Sequence, residues 1–128
     1  MNDTVKYWVD LSDYDYETAV AMLQSRRYLY VGFMCHQTIE KILKAYFSSV
    51  NLETVPYTHS LSYIAKKAGI YEDFTEEHKS FLDILEPLNI EARYPSQKER
   101  LMRSLSNTVC QELLKNTKEL QLWIKKKL

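Results

Sequence analysis

The sequence predicts an all-α fold, a bundle of four long helices plus one short helix in a single domain over residues 1–128. Three observations lead there. Only two glycines and three prolines punctuate the 128 residues, so long uninterrupted helices are favoured over turn-rich strands. Apolar residues recur at three- and four-residue steps, the spacing that lines one face of a helix. A chain of this length also buries roughly two-thirds of its unfolded surface in one core without disulfides or metal.

Each element follows from its own residues. Val5, Trp8, Ser12, Tyr16, Ala19, Met22 and Leu23 lie on one helical face, which predicts a first helix over about 3–25. Residues 28–49 carry two apolar stripes, Leu29, Phe33, Leu43 and Phe47 beside Val31, Met34, Ile42 and Ala45, as expected of a helix at the centre of a bundle. Pro56 makes 51–57 a loop. A short helix over 59–68 is expected next, with Thr58 as N-cap, Leu61, Ile64, Ala65 and Ala68 buried, and Gly69 as its left-handed stop. Thr75, Glu76 and Glu77 open a fourth helix whose buried face is Phe81, Leu85, Leu88 and Ala92, bent rather than ended by Pro87. Ser96 and Glu99 match a capping box opening a last helix that carries Leu101, Leu105, Val109, Leu113, Leu120 and Ile124 nearly to the end of the chain.

Charge excludes little by its total and more by its distribution. Seventeen basic residues balance seventeen acidic ones, so net charge offers no argument for nucleic-acid affinity. Residues 1–17 are acidic, with Asp3, Asp10, Asp13, Asp15 and Glu17 against Lys6, whereas 93–128 hold nine Lys or Arg against Glu99, Glu112 and Glu119. Two readings are open: attraction between the terminal helices, or a basic face for phosphates. Cys35 and Cys110 show no zinc-ligand or disulfide spacing, and no metal or cofactor is expected. The start MNDTVKYW has no signal-peptide pattern, and the longest apolar run, 28–35, is too short to span a bilayer, so a cytoplasmic protein with no membrane association is expected.

Function must come from particular residues, since a helical bundle alone serves many purposes. Trp8, Asp13, Tyr14 and Ala19, then Tyr28 through Phe33, then His36, Gln37, Glu40, Lys41, Lys44 and Ala45 form an ordered series. It continues with Pro56, Thr58, His59 and Leu61 and ends at Asn89, Ala92, Arg93, Tyr94 and Pro95. This series resembles the HEPN domain family over roughly residues 5–95. The resemblance implies an up-and-down bundle, commonly a homodimer, found beside minimal nucleotidyltransferases or within RNA-processing, toxin–antitoxin and defence systems. Many members are metal-independent ribonucleases through an arginine followed four to six residues later by a histidine. Here no histidine follows Arg93, so the resemblance points to a nucleotide- or RNA-binding module rather than to the usual nuclease.

The candidate ligand-binding residues are Arg93, Tyr94, Lys44, Lys41, His59, Gln37, Glu40 and His36; no residue is assigned as catalytic. Gln37, Lys41 and Lys44 share one side of the second helix, and His36, Glu40 and Lys44 an adjacent four-residue row. Either Glu40 pairs with Lys44 or an arginine to fix bundle register, or the row forms a polar pocket for phosphate, base or ribose. His59 stands by a helix start, where backbone N–H groups favour anions; alternatively it hydrogen-bonds a carbonyl or Glu40. Arg93 can grip a phosphate in two-pronged fashion with Tyr94 as a stacking face, or reach back to Glu40 or Glu86 and pin the preceding helix. Lys98, Arg100 and Arg103 widen the positive patch. Three functions are carried forward: a nucleotide- or RNA-binding partner of a separate nucleotidyltransferase, a ribonuclease or toxin using Arg93 with His59 or His36, and a non-catalytic dimerisation module.

Overall fold

The computed structural model describes residues 1–128, apart from the side chain of Ala92. Helices α1 (Asp3–Gln24), α2 (Tyr28–Val50), α3 (Leu61–Ala68), α4 (Glu76–Leu85), α5 (Pro95–Ser104) and α6 (Asn107–Lys125) make up the fold, with no strand among the described residues. The all-α class holds. The helix pattern differs from the expected four long and one short, because the fourth and last expected helices are each divided.

Central α2 packs along α1, α3 and α6, and its Val31, Cys35, Ile39, Ile42, Leu43, Ala45 and Phe47 form the middle of the core. A helix apolar on more than one face must be covered on several sides to keep those faces from water. The acidic α1 and the basic C-terminal segment attract as one reading proposed: Lys125 donates to Asp13, and Gln121 bonds both Ser12 and Asp13. Among the described residues no helix is long and apolar enough to cross a membrane.

Helix boundaries depart from expectation at several points. α3 begins at Leu61 with Ser60, not Thr58, as its N-cap, since the Ser60 hydroxyl accepts from the Tyr63 N–H at 3.3 Å. Thr58 instead accepts from the Ser60 N–H, forming a local turn just upstream. Gly69 takes the left-handed stop (φ +82°) as expected. α4 ends at Leu85 rather than bending through, because Pro87 lacks an N–H and its ring crowds the preceding turn; the chain continues as short 3-10 turns at Glu86–Leu88 and Ile90–Ala92. Ala92, expected on the buried face of that helix, has its side chain outside the described residues.

The last expected helix is two. α5 starts at Pro95, whose fixed φ suits a first helical position. The Tyr94 N–H is satisfied by the Gln97 side chain at 3.0 Å, in place of the expected Ser96 and Glu99 box. Leu105 then turns extended (ψ 102°) and buries itself, while Ser106 caps α6 by accepting from the Val109 N–H. Leu105 fits because α2 carries glycine opposite it. A Cβ on Gly32 would sit 3.4 Å from a Leu105 methyl and 3.3 Å from one of Leu88.

Candidate functional site

The four-residue row of α2 is buried, with Glu40 at its centre. One Glu40 oxygen accepts from His59 Nδ1 at 2.9 Å and the other from Lys44 Nζ at 3.0 Å. Lys44 is also held 5.3 Å over the Trp8 ring. Burial pushes the Glu40 carboxyl up, but the His59 hydrogen bond and the Lys44 charge outweigh it, leaving Glu40 below the usual carboxylate range. Glu40 is therefore an internal anion with two dedicated partners.

His36 lies one turn before Glu40 and is fully buried. Its Nδ1 is 3.9 Å from Glu40, and neither ring nitrogen has a well-aligned hydrogen bond among the described residues. Burial depresses its pKa to about 4, against the weaker opposing pull of Glu40 and the nearby His59 carbonyl. At neutral pH it is an uncharged ring sealed from solvent. His59 differs: its side chain is 50% exposed. Because a carboxylate only accepts, Nδ1 carries the hydrogen and Nε2 of the neutral ring is left as an acceptor.

Gln37 and Lys41 form a second group with a residue of α1. Lys41 Nζ contacts Asp15 and Gln37, each at 3.1 Å. Asp15 was not singled out from the sequence, although it lies three residues after Ser12 and four before Ala19, on the buried face of its helix. Lys41 and Lys44 thus direct their ammonium groups at the internal carboxylates of Asp15 and Glu40.

The start of α3, where an anion was considered, already holds one. Glu86 accepts from the backbone N–H groups of Leu61 at 2.6 Å and Ser62 at 3.1 Å, so the open donors and positive end of the dipole are answered from within the chain. No local pattern marks Glu86 for this, because the pairing spans 25 residues.

No hydrogen bond or ion pair among the described residues joins Arg93 or Tyr94 to the Glu40 group. The link is indirect. Arg93 Nε donates to the Pro87 carbonyl at 3.1 Å and Nη2 to that of Glu86 at 3.3 Å, the residue whose carboxylate caps α3. These bonds fix the guanidinium plane while leaving the rest of its donor fork available. Arg93 makes no ion pair among the described residues. With Pro87, Gln97, Arg100, Leu101 and Ser104 it lines an open groove of about 380 Å³, and Tyr94 beside it is exposed. Two cationic forks over a partly apolar floor suit an anion attached to a flat organic group.

Neither cysteine adds chemistry here. Burial pushes the Cys35 thiol up to about 12 and that of Cys110 up to about 11, so both stay protonated at neutral pH.

Comparison with known proteins agrees with this architecture. Curated proteins gave no match to the chain. Among solved structures, TT1696 from Thermus thermophilus superposes with a TM-score of 0.83 at 18% identity, covering 99% of this chain and 100% of that one, a likeness of fold. The family model described as HEPN domain matches residues 5–128, which takes in the polar row of α2, the Arg93 corner and the last helix, and the chain belongs to the HEPN domain family.

Proposed function

We propose that this protein is a nucleotide- or RNA-binding HEPN module that works as a homodimer beside a separate minimal nucleotidyltransferase, in a toxin–antitoxin or defence setting. The observation that carries the binding claim is the Arg93 groove. Its arginine is oriented by two backbone carbonyls and faces no carboxylate partner, Arg100 adds a second positive charge, and Tyr94 stands by for stacking. A phosphate would meet oriented donors there without displacing an internal ion pair. The dimer and the nucleotidyltransferase rest on family resemblance.

Thermal-shift titration with AMP, ATP and a short RNA tests the binding claim, because a ligand that prefers the native state raises the melting temperature. A rise that weakens in Arg100→Gln supports the groove. No shift with any of the three ligands removes it.

A second reading, phosphodiester cleavage, is favoured by one contact, the Glu40–His59 hydrogen bond. A carboxylate that fixes the tautomer of a half-exposed histidine leaves the Nε2 lone pair free to accept a proton. His36, sealed and uncharged, does not suit that role. Incubating mixed RNA with the protein and with His59→Ala separates the readings: cleavage lost in the variant supports catalysis, and equal traces from both leave binding alone.

A further inference from the structure

The turn between α1 and α2 holds two arginines that the groove does not include. Arg26 is the one non-glycine residue with positive φ (60°) among those described. It ends α1 by a backbone stop in which its N–H donates to the Leu23 carbonyl and that of Arg27 to Met22. Glycine suits such a position and a long β-substituted side chain does not, so the turn carries strain to hold an arginine. Arg26 and Arg27 are both exposed and make no ion pair among the described residues. A non-glycine outlier of this kind motivates a search for a functional reason.

The fold sets this turn against the α5–α6 junction. Tyr28, one residue past the turn, accepts at its hydroxyl from Asn107 at 3.2 Å and at its carbonyl from the Cys110 thiol. Gly32, one turn further, lies against Leu88 and Leu105. Arg26 and Arg27 therefore stand by the α5–α6 junction, at the C-terminal end of the segment that carries Arg93, Lys98, Arg100 and Arg103. Glu91 and Glu99 are the exposed acids on the same stretch. Glu86, which would neutralise Arg93, has its carboxylate turned inward onto α3. Tyr30, three residues after Arg27, and Tyr94, next to Arg93, are both exposed.

We propose that Arg26 and Arg27 form a second phosphate subsite, so that the protein takes single-stranded RNA across both sites rather than one mononucleotide. Arg93 precedes α5 and the Arg26 turn meets the residues that follow it. The two arginine groups thus flank a ten-residue helix that is roughly 15 Å long. One mononucleotide phosphate cannot answer both. Successive phosphates of a strand can, with bases resting on Tyr94 and Tyr30. This rests on the reading of the Arg93 groove given above.

Anisotropy titrations of the full chain with a labelled oligouridylate of about ten nucleotides, over a series of salt concentrations, and of AMP by thermal shift, test the proposal. Arg26→Gly relieves the backbone strain, so its melting temperature should equal or exceed that of the parent. RNA affinity should nevertheless fall several-fold in Arg26→Gly and further in Arg26→Gly with Arg27→Gln, with the salt slope reduced by about 0.7 for each phosphate the protein no longer neutralises. AMP binding should be unchanged. RNA affinity and salt slope equal to the parent's overturn the subsite, as does an equal loss of AMP and RNA binding. A parent that binds AMP but no RNA removes this inference and leaves the groove; a parent that binds neither sinks both.

Discussion

The carboxylate of Glu86 caps α3 by accepting from the Leu61 N–H at 2.6 Å, and through its backbone carbonyl it also holds Arg93. One residue therefore fixes the short helix that follows the His59 loop and the corner that carries the groove arginine. Replacing it with alanine removes two charge-assisted hydrogen bonds to backbone donors, and the expected loss is about 2 kcal/mol. The emptied helix start should then take an added anion. Sulfate should raise the melting temperature of Glu86→Ala more than that of the parent, relative to chloride at equal ionic strength. Equal increments in the two proteins would show that the carboxylate does not fill an anion position.

His36 makes stability depend on pH in a window of its own. Its folded pKa is depressed to about 4 from an ordinary value near 6.5. Between those values the unfolded chain binds a proton that the folded chain does not, so stability falls as pH falls through the window and is intact above it. The loss approaches about 3 kcal/mol by pH 4. The charged and titratable neighbours, Glu40, His59 and Lys41, bear on the same ring. Glu40, held below the usual carboxylate range, adds its own acid loss at lower pH. Urea unfolding of the parent and of His36→Leu at pH 7 and pH 5 checks this. The variant should lose distinctly less between the two, and parallel losses would refute the assignment.

Sequence periodicity located the core because it reports which face of a helix is apolar, and α2, Gly69 and Thr75 stand where local rules put them. It failed where tertiary packing chose between local options. Leu105 sits in an unbroken helical pattern, yet the space opposite Gly32 draws it inward and divides the helix. Gln97, not Glu99, reaches the N–H that opens α5, since Pro95 had already fixed the register of its first turn. The candidate site shows the same limit. The i, i+4 spacing of Glu40 and Lys44 was legible, as was the option of a His59 contact to Glu40. The Glu86 cap on α3 and the Asp15 contact to Lys41 join distant segments, and no local pattern encodes them.

Glu40 and Lys44 should behave as a coupled pair. Glu40→Leu leaves a largely buried ammonium with only the Trp8 ring for company and frees His59, at an expected loss of about 3 kcal/mol. Adding Lys44→Leu removes the stranded charge, so the double variant should recover much of that loss. A double variant as unstable as the sum of its parts would mean that the two side chains act independently.

Gly32 sets how closely α2 approaches the Pro87 turn and the α5–α6 junction. Gly32→Ala gains about 1 kcal/mol of helix propensity, but its new methyl meets Leu88 and Leu105 at 3.3 and 3.4 Å, so the net change should be near zero. Gly32→Leu cannot be absorbed by small shifts of two methyl groups and should destabilise by about 2 kcal/mol. Because α5 buries none of its own described residues and relies on Leu105 just beyond it as an anchor, the damage should be local. Hydrogen exchange should quicken in α5 well before α1 or the second half of α6. Uniform quickening along the chain would show that the glycine supports the whole core and not the groove-bearing corner in particular.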